Sequence, residues 1–418
     1  MTSTAQEAVP AEAAGAGSPS GARRVAAAGY AAQGAAVAAV FTTIPAVQQR
    51  LGLSSLLTTV VMVGVSLAAG AGSFAGLAAI RRLGPVTVMR GALSAAATAL
   101  PAIGWAPDQI TAITAYLLFG VALGAIDVSV NTRAAAIERA CGRSIFSSFY
   151  AAWSTGGVVA ALLTAGMARM GWDTAQSLTV QAAVVFAIAA TIRHHTLPSP
   201  ATPDAAATPD GTAVPLGHAL WRRIVPLGVV LLVAYIVDST VSAWSTVYLH
   251  QTLAASLSTA PLAYAAYQAG TITGRACADR LIRRVGPSQV VRAAAALTAL
   301  AMAALAAAPS WPYAVAAAGL TGLGAAALVP LCFASAGRLQ PEAAEAVLAR
   351  LNLFNYIGVI SGAAASGLLG SSGHFRLAYA IPAALSLVPL AAAGIFGRTH
   401  LGAGRHDHSG RPDRPTRR

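Results

Sequence analysis

Twelve blocks of about twenty apolar residues follow one another along the chain, and that repetition admits few folds. They cover residues 25–46, 55–80, 86–105, 110–131, 146–167, 172–192, 224–249, 261–278, 290–308, 312–336, 344–369 and 377–396. An α-helix rises about 1.5 Å per residue, so about twenty apolar residues cross a hydrocarbon core of about 30 Å. The blocks are not broken at every third or fourth position, as an amphipathic helix in water would be. Composition agrees: 56% of residues are hydrophobic and 10% charged, against about 25% charged in a soluble domain. The expected fold is an all-α membrane protein of twelve transmembrane helices.

Charge sets the expected orientation. The formal net charge is +13, and the chain holds 27 basic residues, all of them arginine. With the N-terminus inside, 24 of these 27 arginines fall in cytoplasmic loops and tails; Arg50, Arg169 and Arg376 do not. Cytoplasmic loops collect basic residues, so this bias places both termini in the cytoplasm of an inner membrane. It also accounts for the positive charge without nucleic acid, for which no binding module is visible. The absence of lysine excludes the Gly-x-x-x-x-Gly-Lys loop of an ATP-driven pump. Cys141, Cys277 and Cys332 have no paired spacing and all eight histidines lie outside the apolar blocks, so neither metal nor cofactor is expected.

The blocks divide into two sets. Residues 1–24 read as a disordered cytoplasmic leader ahead of an uncleaved first span, 25–193 as a six-helix bundle and 194–223 as a polar cytoplasmic linker rich in proline. Residues 224–398 form a second six-helix bundle and 399–418 a basic tail. The sets are related by an offset of 202 residues. Arg81, Arg82, Gly84, Pro85 and Arg90 recur as Arg283, Arg284, Gly286, Pro287 and Arg292. Gly72, Gly120 and Gly156 map in the same way to Gly274, Gly322 and Gly358. Coincidence at one offset, in the same loop of each set, indicates duplication and two pseudo-symmetric bundles that can rock about a central site.

Gly274, Arg275, Asp279, Arg280, Arg283, Arg284 and Gly286 closely resemble the cytoplasmic loop signature of the major facilitator superfamily. The resemblance implies a loop that clasps one half to the other and tunes the switch between states. Arg81, Arg82 and Gly84 belong to the first-half copy, which has Leu77 and Ala78 in place of Asp279 and Arg280. Ile44 to Ser54, Gly124 to Asn131, Phe149 to Gly157 and Trp244 to Leu249 further resemble the fucose-permease-like bacterial transporters. Tyr150 stands where that group often has histidine, Ala243 where it often has an acid, and Gln33 is the only counterpart of a first-span acid.

An ionised carboxylate at a helix centre costs at least about 2.5–3.5 kcal/mol in a bilayer. Asp238 stands mid-block and is a candidate proton- or cation-binding acid; satisfaction by neighbouring hydroxyls is the plainer reading. Asp127 and Asn131, at i and i+4, share a helix face, and the resemblance implies that such a pair lines the central cavity. Either that helix ends at Asn131, leaving Asp127 near the interface, or it continues to about Glu138 and makes Arg133 an intramembrane cation. Tyr150, Trp153 and Trp244 offer aromatic walls, and Asn352 and Asn355 amide groups, for a small solute.

The function expected from all this is secondary transport of a small organic solute by a monomer in the lipid bilayer, with protons as the coupling ion. Export of a metabolite or drug is favoured over uptake of a sugar-like nutrient, and a non-transporting sensor or assembly partner is the alternative of another class. Enzymatic chemistry is not expected.

Overall fold

The computed structural model describes residues 19–141, 145–192, 218–340 and 344–397, the side chains of residues 19, 218, 219, 279 and 344–346 excepted. The expected leader, most of the linker and the tail lie outside these residues. Fourteen helices run in order: α1 (Pro19–Leu51), α2 (Ser55–Leu83), α3 (Pro85–Gly104), α4 (Gln109–Cys141), α5 (Phe146–Arg169), α6 (Thr174–Thr191), α7 (His218–Thr252), α8 (Pro261–Val285), α9 (Pro287–Ala307), α10 (Trp311–Ala325), α11 (Leu328–Gly337), α12 (Ala344–Ser371), α13 (Phe375–Leu385) and α14 (Leu387–Ala392). No strand occurs among the described residues.

Two pairs are single segments interrupted by proline. Pro330 has no N–H for the Ala326 carbonyl, and α10 gives way to α11 there; Pro389 does the same to Leu385 between α13 and α14. With each pair joined, eleven segments among the described residues are long and apolar enough to cross a membrane. The twelfth, α8, falls short because Tyr264, Tyr267, Gln268, Thr271 and Arg275 interrupt its apolar run. Its polarity is informative, since a polar helix inside a membrane protein turns towards other helices or water.

Several helices outrun their apolar blocks. α1 begins at Pro19 and takes in Arg23 and Arg24, expected in the leader; α7 begins at His218 and takes in Arg222 and Arg223, expected in the linker. α4 continues to Cys141, so Arg133 lies well inside it. Helix ends that emerge into water need no apolar residues, and apolarity alone stops short of them.

Short turns join most helices and make neighbours run in opposite directions. Gly84 (φ 76°) and Gly286 (φ 83°) end α2 and α8 in a conformation that only glycine adopts easily. Pro85 and Pro287 then open α3 and α9 without losing a hydrogen bond. Asp108 starts α4 by accepting the Thr111 amide N–H at 2.8 Å, and its hydrogen bonds from that segment hold its carboxyl below the usual carboxylate range.

The offset of 202 persists in the contacts. A Cβ on Gly72 would collide with the Val121 carbonyl, and one on Gly274 with the Leu323 carbonyl. A Cβ on Gly120 would meet the Val65 carbonyl, and one on Gly322 the Tyr267 carbonyl. In each half the second helix thus lies backbone-to-backbone on the fourth through glycines, close packing that holds helices together where lipid removes the hydrophobic drive.

Two of the arginines outside the expected cytoplasmic set have structural partners at the end opposite the arginine-rich loops. Arg50 donates to the Ala106 and Ile103 carbonyls (2.8 and 3.0 Å), and Arg376 to those of Ala306 and Ala308 (3.0 and 3.1 Å). Each neutralises the carbonyl end of the third helix of its half.

Candidate functional site

Both candidate acids turn towards other helices of the bundle, from different halves. Asp127, past the middle of α4, is solvent-accessible and accepts a hydrogen bond from Gln33 Nε2 of α1 at 3.2 Å. One turn on, Asn131 accepts from the Tyr30 hydroxyl at 2.6 Å and donates to the Asp127 carbonyl at 2.9 Å. Tyr30 stacks on Phe149 (centroids 5.5 Å apart) and meets Tyr150 edge-on (5.7 Å), fixing the floor of the first half. Asp238, half-buried on α7, accepts from the Tyr267 hydroxyl of α8 at 2.7 Å. Among the described residues neither carboxyl has an ion-pair partner; both are held by neutral donors.

The two acids share a surrounding. Tyr235 of α7 lies in electrostatic range of Asp127, Asp238, Tyr150 and Arg275. Tyr150 lies in range of Asp127, Arg275 and Tyr356. Tyr150 is 41% exposed and Tyr356, on α12, 54%, so open space reaches groups from both halves. A separate apolar groove of about 680 Å³ between α9 and α13 holds no acid.

α8 supplies the seam between the halves. Tyr264, Gln268, Thr271 and Arg275 recur at helical spacing and lie against Gly157, Ser154 and Tyr150 of α5. Ser154 Oγ donates to Gln268 Oε1 at 3.0 Å, and Arg275 Nη1 donates to Ser154 Oγ (3.1 Å) and to the Tyr150 carbonyl (3.2 Å). At the opposite end Gln49 meets His250, and Gln251 donates to Gln48 Oε1 at 3.2 Å. Gly367 of α12 packs there on Thr59 and Trp244.

Among the described residues the hydrogen bonds between halves run from that end only as far as Arg275. α8 continues ten residues further to Val285 without another. Arg81, Arg82, Arg280, Arg283 and Arg284 are exposed and bond to nothing in the other half among the described residues; the Asp279 side chain lies outside them. The described hydrogen bonds that join the halves therefore stop at Arg275, short of the arginine-rich loops.

The other expected site residues fall in different places. Arg133 is buried, six positions and about 240° round α4 from Asp127, which bonds to Gln33 instead. Trp244 is fully buried, with its indole N–H on the Ala363 carbonyl at 2.8 Å and its ring beside Phe375. Trp153 is half-buried, and its backbone abuts Gly34 of α1. Asn355 donates to Asn352 at 3.1 Å on the α12 face, one residue from Tyr356. Arg275, grouped by sequence with the loop, sits in mid-bundle instead. Tyr30, Tyr235, Tyr267 and Gln268 were not singled out by sequence; the low apolarity of the α8 block is a signal for Tyr267 and Gln268 alone.

The site does not repeat as the frame does. At the offset of 202, Val329 corresponds to Asp127 and Ala36 to Asp238. The two halves contribute one acid each, from non-equivalent helices.

Comparison with known proteins agrees with the fold. A family profile described as Major Facilitator Superfamily matches residues 227–416. An uncharacterised MFS-type transporter of Yersinia pestis is 26% identical over 296 residues, 70% of this chain and 74% of that protein. An uncharacterised transporter of Sinorhizobium fredii is 29% identical over 301 residues, 72% and 78% of the two chains. Among solved structures, the nucleoside transporter NupG superposes with a TM-score of 0.65 at 15% identity, covering 91% of this chain and 98% of that one. A D-xylose-proton symporter does so with a TM-score of 0.65 at 16% identity, covering 89% and 96%. Family profile, relatives matched over 70% and 72% of this chain, and fold coincide, and the chain is similar throughout these comparisons to the major facilitator superfamily of membrane transporters.

Proposed function

We infer that this transporter is a proton-coupled carrier of a small organic solute, working by alternating access with its arginine-rich loops in the cytoplasm. The observation that carries the reading is the pair Asp127 and Asp238, one from each half, both in electrostatic range of Tyr235 on α7; the carrier reading puts the two on one crevice. Neutral hydrogen-bond donors suit an acid that must take up and release a proton, whereas a fixed cation partner would hold it ionised. Tyr150, Tyr356, Asn352 and Asn355 give the same crevice aromatic surface and a few polar groups, the usual lining of a small-molecule site. Export fits the substitution of Gln33 for a first-span acid. Uptake of a sugar-like solute is the second reading, favoured by the fold neighbour that is a D-xylose-proton symporter.

The test is transport by the full chain in liposomes under an imposed pH gradient, with a panel of sugars and drug-like compounds. Asp238→Asn should lower gradient-driven flux at least tenfold, about 1.4 kcal/mol, while solute exchange without a gradient persists. Unaltered gradient-driven flux in that variant would remove Asp238 from coupling. The sign of the gradient that drives accumulation separates export from uptake.

A further inference from the structure

Arg275 is a cation in the interior of a membrane bundle, where charge is retained at a cost and normally faces a counter-charge or a pathway. A guanidinium carries five N–H donors in a planar fork. Here Nη1 is occupied, by the Ser154 hydroxyl and the Tyr150 carbonyl, both uncharged. Nε and Nη2 make no hydrogen bond among the described residues, yet neither belongs to the buried polar atoms that lack partners, so both keep some accessible surface. The Tyr150 ring lies beside the guanidinium carbon, 5.7 Å from centroid to Cζ. Among the described residues the ionisable groups in electrostatic range of Arg275 are Tyr150 of α5, Tyr235 and Asp238 of α7 and Tyr267 of α8. Asp238 is the one carboxyl among them, and it is engaged with Tyr267 and forms no ion pair with Arg275.

We propose that the open edge of Arg275 binds the carboxylate of the transported solute, an aromatic or similarly planar organic monoacid whose ring lies among Tyr150, Tyr235 and Tyr356. This rests on the carrier reading above and narrows its substrate to a class. A planar fork pairs with a carboxylate through two parallel hydrogen bonds, and tyrosine faces complete a slot for a flat ring. One guanidinium balances one negative charge, whereas a phosphate dianion would also face Asp127 and Asp238. The carboxylate enters when Asp238 carries its proton, since an ionised Asp238 competes for the same cation.

Isothermal titration of the full chain in detergent decides this, with benzoate, cinnamate and indole-3-acetate, each against its neutral amide, and with phenylphosphonate. At least one carboxylate should bind tenfold or more tightly than its amide and than phenylphosphonate. Arg275→Gln should erase the preference, Arg275→Lys should keep part of it, and Asp238→Asn should preserve or strengthen it. Ser154→Ala loosens the link to α5 but leaves the open edge intact, so it should keep the preference. If no carboxylate outbinds its amide, or if Arg275→Gln retains the difference, the proposal is overturned. Equal loss in Ser154→Ala and Arg275→Gln would also overturn it, by reducing Arg275 to a tether between halves. Normal gradient-driven flux in Asp238→Asn with the carboxylate preference intact would sink proton coupling alone.

Discussion

Tyr267 and Gln33 each give a single neutral hydrogen bond to an acid in the interior, at 2.7 and 3.2 Å. Such bonds contribute on average about 0.6 kcal/mol inside membrane proteins, enough to bias a proton equilibrium but not to lock it. Tyr267→Phe should therefore leave folding intact and alter the pH dependence of transport, because Asp238 loses its one hydrogen-bond donor among the described residues. Pre-steady-state flux measured against pH checks this; an unmoved profile would show that Tyr267 does not act on Asp238. Asp127, Asn131, Asp238 and Tyr150 were legible in the sequence because a polar group in an apolar block is rare and costly. Arg275 was legible as a residue but misplaced, since its loop signature ends ten residues beyond the seam it occupies. A lone tyrosine or glutamine, such as Tyr30 or Gln268, carries no such signal until a partner across the bundle is known.

The paired glycines make a symmetrical prediction for the helices. Gly72→Val and Gly274→Val should both force α2 from α4 and α8 from α10, lowering yield and thermal unfolding temperature to a similar extent. Leucine scanning at Gly52, where no atom lies near a Cβ, isolates the effect of crowding from that of its positive φ. A variant pair with opposite effects would argue against equivalent roles. Twelve segments were legible because hydrocarbon thickness fixes their apolar length. Their ends were not, and for α4 that mattered: the ten residues past Asn131 carry Arg133 inside the helix. The breaks at Pro330 and Pro389 follow from proline chemistry, although apolarity alone passes through them unmarked.

Across the whole molecule, hydrogen bonds join the halves at the end holding Gln49 and His250. A Gln49→Cys/His250→Cys pair, with Cys141, Cys277 and Cys332 replaced by serine, should be bridged by a bis-methanethiosulfonate linker that spans the length of the two lost side chains and should arrest transport, and reduction should restore it. Cross-linking without arrest would show that this end never separates during turnover. The two-half plan was readable from one offset, whereas the bonds between the halves were not, because no periodicity encodes a contact such as Ser154 to Gln268. The frame repeats at 202 residues, but the acids do not: Val329 and Ala36 stand where copies of Asp127 and Asp238 would be. The glycine contacts that repeat between the halves are therefore independent of the two acids. A lineage of such proteins can be redirected to a new cargo by exchanging a handful of interior side chains, while the glycine scaffold that builds the bundle stays untouched.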